Sequence, residues 1–219
     1  MSTTTLDTAA AVRRPHTVRA LTAGMVAGPI FAAISFTQIP FRDGFDVTKH
    51  AFSFLLVGPG AGLQIANYLL TGTLFAVSGV GLRRALGGKA GKAAQVFATT
   101  LGAGLVLAGL FPPPPSYGYP EGAPAGAPSE LSTTAVLHGV GFGLGVTSWV
   151  ALLLVLSAWL RRRAQHRWAV SALITGLALF AVPATSTQPF GTVLLYVVVT
   201  AAYVITSLLY SRVRTSALP

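Results

Sequence analysis

The chain contains no cysteine, and charged residues make up only 9% of its 219 positions. The first absence excludes a disulfide framework and any thiolate metal site. The second is far below the roughly 25% charged residues of a soluble domain. No dinucleotide fingerprint or P-loop is present, because the glycine-rich piece from Gly139 to Gly145 lies inside an apolar run and follows no strand. The first residues, through His16, are rich in Thr and Ala and lack an apolar stretch, so they read as a disordered tail (1–17) rather than a signal peptide. No internal repeat stands out.

What remains is hydrophobic residues, at 53% of the chain. The expected fold is all-α, an integral membrane bundle of six transmembrane helices with a short outer interfacial helix. The expected spans are 18–39, 61–86, 94–111, 132–160, 168–183 and 190–210, forming one membrane domain (18–211) followed by a tail (212–219). Each is sized against the ~20 residues that cross a ~30 Å hydrocarbon core, the fifth being short. Gly24 and Gly28 form a small-xxx-small pair suited to close helix contact. Pro40 ends the first span, and Pro112 to Pro115 stop the third, since proline has no amide donor. Ser116 to Glu130, with Tyr117 and Tyr119, reads as a loop. Between the first two spans, Asp46 or Thr48 is placed to cap a short interfacial helix reaching Val57, ended by Gly58-Pro59-Gly60.

The balance of 15 Lys and Arg against 5 Asp and Glu would suggest nucleic acid for a soluble protein. Here the cations sit in short clusters between apolar runs, so they report topology, and no nucleic-acid partner is expected. Thirteen of the fifteen fall in the N-terminal tail, the second and fourth connections and the C-terminal end; only Arg42 and Lys49 fall on the other side. Retention of Lys and Arg in cytoplasmic segments then puts both termini in the cytoplasm, with 41–60 and 112–131 facing outward.

Polar residues inside the spans fall on helical stripes. Gln64, Asn67, Thr71 and Ser78 share one face of the second span, and His138, Gly141, Gly145 and Ser148 share one face of the fourth. Thr192, Tyr196, Tyr203, Ser207 and Tyr210 do so on the sixth. Lipid offers no hydrogen bonds, so these faces should point inward, where ordinary interhelical contacts account for most of them. Counting ~20 residues at 1.5 Å each from Trp159 reaches the level of His138 near the outer boundary. His50, Ser53, Gln64, Asn67 and His138 are therefore the candidate lining of an outward polar pocket, with Gly58, Pro59 and Gly60 as its hinge. Two imidazoles do not make a zinc site, which takes three or four ligands, so no metal is expected. Haem would need two histidines on facing helices, and only His138 lies on a span; no cofactor is indicated. A Ser53 nucleophile served by His50 or His138 is a further possibility, dependent on proximity.

The run H-A-F-S-F-L from His50, the Gly58-Pro59-Gly60 turn followed by Gln64, Asn67 and Tyr68, the G-L-F-P of Gly109 to Pro112, and Leu137-His138 resemble a bacterial multi-pass membrane family. It is the family catalogued as domain of unknown function 998. The similarity covers nearly all of the chain after Val18, with the elements in the same order. The resemblance implies an apolar bundle without an assigned activity. In that family an acidic residue often follows the F-P element and another the second histidine; prolines and Gly139 hold those places here. The expected function is a non-enzymatic membrane module whose partners are the bilayer and a lipid or small-molecule ligand. The alternative is a hydrolase or metal-dependent enzyme at the outer leaflet, using His50 and His138. A transporter is weaker, lacking a repeat and ionisable groups at the midplane.

Overall fold

Each apolar run between Pro, Gly and basic punctuation becomes one long helix in the computed structural model. It describes residues 3–128, 130, 132–185, 188 and 190–216, with side chains from residue 15 on. The helices are α1 (Thr3–Gln38), α2 (Ala61–Leu86), α3 (Gly88–Leu110), α4 (Thr133–Arg161), α5 (His166–Ala181) and α6 (Gly191–Ser216). All six carry a segment long and apolar enough to cross a membrane. Among the described residues there is no strand, only an isolated bridge between Ser116 and Tyr119.

The helix ends follow local chemistry. Ser132 caps α4 by accepting from the Ala135 amide at 3.2 Å. Gly87 alone separates α2 from α3, so α3 begins at Gly88, six residues before the expected span. Helix α1 also extends beyond its expected start, running back through 3–17, although its membrane-crossing part begins only at Pro15.

The six helices close a ring in chain order, each touching the next and α6 returning to α1. Between lipid-exposed helices there is no hydrophobic gain from leaving water, so contact depends on close packing by small residues. At the α2–α3 crossing, a Cβ on Gly72 would lie 2.6 Å from the Gly102 carbonyl oxygen. At the α3–α4 crossing, one on Gly141 would lie 2.6 Å from the Ala108 nitrogen. Gly24 and Gly28 instead leave room for the rings of Tyr210 and Tyr203, fastening α1 to α6. The inward face of α6 is locked further by Ser78 Oγ against the Tyr210 hydroxyl at 2.7 Å and by Trp149 Nε1 donating to Thr206 Oγ1 at 2.9 Å. The outer surface bears Phe180, Ile174 and Val197, all exposed, as a lipid-facing surface requires.

The two ends of the ring differ. At one end the α2–α3 and α4–α5 turns and the end of α6 gather Arg and Lys, with Arg163 4.1 Å over Trp159 and Arg212 4.6 Å over Trp168. At the other end lie the segment 39–60, the loop 111–132 and the α5–α6 connection. Among the short 3₁₀ turns there, Phe52–Leu56 lies in the mouth of the ring with Phe52, Leu55 and Leu56 buried. An interfacial helix over 46–57 would need one polar face. A-F-S-F-L-L has none to offer, and three-residue periodicity puts Phe52 and Leu55 on one buried side.

Candidate functional site

The plug is held by one cation. Arg42, just beyond α1, is 8% exposed. Its Nη2 donates to Gln38 Oε1 at 2.8 Å, the Leu55 carbonyl at 3.1 Å and the Gly60 carbonyl at 2.7 Å, and its Nη1 donates to the Pro59 carbonyl. No carboxylate reaches it: the one ion pair among the described residues is Lys49 with Asp46, at 3.4 Å. A buried charge must be compensated by hydrogen bonds, and a planar five-donor fork can satisfy several carbonyls at once. Gly58-Pro59-Gly60, expected as a hinge, is thus a clamp. Gly60 sits at φ +80°, and a Cβ there would lie 3.0 Å from Arg42 Nη1, so both the backbone conformation and the space call for glycine.

From Arg42 a buried polar ladder descends between α1 and α2. Gln38 Nε2 donates to Gln64 Oε1 at 2.8 Å, and Gln64 Nε2 to Ser35 Oγ at 2.9 Å. Asn67 Nδ2 donates to Ser35 Oγ and to the Phe31 carbonyl, each at 3.1 Å. Thr71 Oγ1 reaches Asn67 Oδ1 at 3.5 Å. Gln64 and Asn67, expected to line a pocket, are fully engaged here. Their partners Ser35 and Gln38, and Arg42 beyond Gln38, were missed by sequence reasoning, although their offsets of three and four match those of Gln64, Asn67 and Thr71.

His50 is also engaged at both ring nitrogens. Nδ1 accepts from the Asp46 amide at 2.9 Å, and Nε2 meets the Tyr117 carbonyl at 3.1 Å, which fixes the Nε2–H tautomer. Its ring packs on Tyr119, at 5.2 Å between centroids, and Tyr196 donates to its carbonyl at 2.9 Å. The loop following the prolines is thereby folded onto the segment 46–57. Asp46 Oδ1 accepts from the Thr48 hydroxyl at 2.7 Å and the Thr48 amide at 2.9 Å, holding its carboxyl below the usual range. Burial pushes the Tyr119 hydroxyl up, opposed by nearby Arg42.

His138 is arranged differently. Its Nδ1 lies 3.0 Å from the Ala108 carbonyl and 2.9 Å from the Phe111 carbonyl. The helical partners of those carbonyls would be the amides of residues 112 and 115, both prolines. The imidazole supplies the donor that the prolines lack, capping α3 from α4. Ser53 and His138 line one cavity of about 90 Å³ at the centre of the ring, and His50, Gln64 and Asn67 do not. Helices α1 to α6 and the 3₁₀ plug all contribute walls, including Phe31, Tyr68, Leu105, Gly145, Trp149 and Leu179. The walls are almost wholly hydrocarbon, where an outward polar pocket was expected. Ala51, Phe142 and Leu195 also line a second groove, whose other residues include Thr48, Lys49, Tyr117 and Gln188, so the cavity and the groove meet at that threshold. Among the described residues no three His, Asp or Glu side chains converge as a metal site would need.

A closed ring of six apolar helices with buried polar contacts defines a multi-pass helical membrane protein. The family model described as "Protein of unknown function (DUF998)" matches residues 25–211, and the chain belongs to that family. No curated protein and no solved structure matches the chain.

Proposed function

We propose that this protein binds an apolar small molecule or a lipid chain in the central cavity and does so without chemical turnover. The observation that carries this reading is the cavity itself, which all six helices and the Phe52–Leu56 plug line. An apolar group seated there gains dispersion contacts with the hydrocarbon walls. The shared threshold at Ala51, Phe142 and Leu195 offers a way in from the groove that Thr48, Lys49 and Gln188 also line. On the charge asymmetry between the two ends, that groove faces the outer side of a bacterial plasma membrane, with both termini in the cytoplasm.

Hydrolysis at the same place is the second reading, favoured by Ser53 and His138 sharing one cavity. Binding is preferred because a nucleophile must be hydrogen-bonded to its base, and no such bond joins Ser53 to either His50 or His138 among the described residues. Native mass spectrometry of the purified protein tests the proposal. The wild type is expected to retain an apolar adduct that Val146→Phe, which fills the cavity, loses. An identical adduct pattern in both proteins, or none in either, would overturn it. Labelling of Ser53 by a fluorophosphonate would favour the hydrolytic reading.

A further inference from the structure

We infer that the ligand of this cavity is an alcohol, an apolar hydrocarbon carrying a hydroxyl group, and that His138 Nε2 is the acceptor that selects it. The inference rests on the binding reading above and specifies its ligand.

Carbonyl oxygens only accept, so the His138 nitrogen that faces the Ala108 and Phe111 carbonyls must carry the proton. In a neutral imidazole the other nitrogen then presents a lone pair. The prolines at 112 and 115 make this tautomer obligatory, because they leave those two carbonyls without amide donors. Nε2 forms no hydrogen bond to any described residue, and His138 lines a cavity whose other walls are chiefly Phe31, Leu101, Leu105 and Trp149.

An acceptor in hydrocarbon surroundings favours a ligand that brings a donor and penalises one that brings only further lone pairs. Ser53 and Tyr68 line the same cavity, and their hydroxyls likewise make no hydrogen bond to described residues. Tyr68 is 7% exposed as a whole residue, and its hydroxyl is available to a ligand as donor or acceptor. A hydroxyl can donate or accept, so these two accommodate either kind of ligand. The imidazole alone sets the polarity of the site. An alcohol can give its proton to Nε2 and accept from Ser53 or Tyr68 in return, while its chain occupies the apolar walls. A carboxylate or an ether, being acceptor-only, cannot serve Nε2.

Three ligands of equal chain length test this with the wild-type protein in phosphatidylcholine nanodiscs: decanol, decyl methyl ether and decanoate. Affinities are read from Trp149 fluorescence, and the acceptor is read directly from the ¹⁵N shift of the His138 imidazole. Decanol is expected to bind about two- to tenfold more tightly than the ether, the range that one net hydrogen bond supplies, and to move the Nε2 resonance towards the value of a hydrogen-bonded nitrogen. In His138→Phe the preference should vanish; the comparison of ligands on the wild type stands even if that variant does not fold. Equal binding of decanol and its ether, or tighter binding of decanoate, would overturn the inference and leave the binding reading intact. Binding of none of the three would overturn both.

Discussion

The Tyr196 hydroxyl donates to the carbonyl oxygen of His50 at 2.9 Å, joining the sixth helix to the segment after the first across 146 positions of sequence. The same tyrosine ring lies 4.1 Å from that of Phe52, so α6 holds the mouth plug by a hydrogen bond and by packing together. Tyr196→Phe separates the two. It should cost about 1–2 kcal/mol for the unsatisfied carbonyl, while keeping the ring contact. Unfolding in mixed micelles would measure the loss; a change below a few tenths of a kcal/mol would mean that water replaces the hydroxyl.

Arg42 should not tolerate lysine. An ammonium is a compact charge and cannot span carbonyls on Leu55, Pro59 and Gly60 together with Gln38. Arg42→Lys is expected to destabilise by about 2–4 kcal/mol, close to the loss in a variant with no charge there, because Gln38 Oε1 and the Leu55 carbonyl stay buried in either case. Protease cleavage between Phe45 and Gly60 should accelerate in step. A lysine variant as stable and as resistant as the wild type would show that charge, not the fork, holds the clamp.

Two glycines one turn apart on α4 should behave oppositely. A Cβ at Gly141 would approach the Ala108 nitrogen to 2.6 Å and the Gly104 oxygen to 2.8 Å. Gly141→Ala must push α3 and α4 apart and should cost about 1–3 kcal/mol. At Gly145 the nearest atoms stand 4.0 Å away. Gly145→Ala should be neutral or stabilising by up to about 1 kcal/mol through helix propensity. Thermal unfolding of the two variants side by side checks both.

The Asp46 carboxyl should titrate below the ordinary aspartate value of about 3.9, the Thr48 hydroxyl being the main cause. A pKa lowered in the folded protein contributes stability that is present above the unfolded value and is lost as pH falls through the folded one. The turn 46–50 should therefore hold at neutral pH and loosen only in acid below that value. Carboxyl ¹³C NMR of Asp46 reads the midpoint, which Thr48→Val should raise. An unchanged midpoint would assign the depression to the Thr48 amide, with Lys49 behind it.

The polar stripes were legible because helical periodicity survives in lipid: Gln64, Asn67, Thr71 and Ser78 all proved buried, as did Gly141, Gly145 and Ser148. The partners were not. Sequence grouped His50, Ser53, Gln64, Asn67 and His138 by depth alone, and depth does not say which way around the ring a side chain faces. Ser53 and His138 share the cavity, whereas Gln64 and Asn67 turn to α1 and His50 to the loop after the prolines. Arg42 was read only as a charge on one side of a count. Its burial follows from the carbonyls of Leu55, Pro59 and Gly60 arriving around it, which no local pattern announces.

By itself the sequence determined the class of object. Apolar runs of membrane-spanning length, punctuated by proline, glycine and clustered arginine, leave the backbone no stable choice but helices that satisfy their own hydrogen bonds. Tertiary structure decided everything that depends on azimuth: the ring closing between α6 and α1, the plug turning inward, and the prolines at 112 and 115 borrowing their missing donor from His138. Contacts between helices distant in sequence depend on rotations of each helix about its own axis. Those rotations are fixed only when all the small-residue crossings and buried hydrogen bonds are satisfied together.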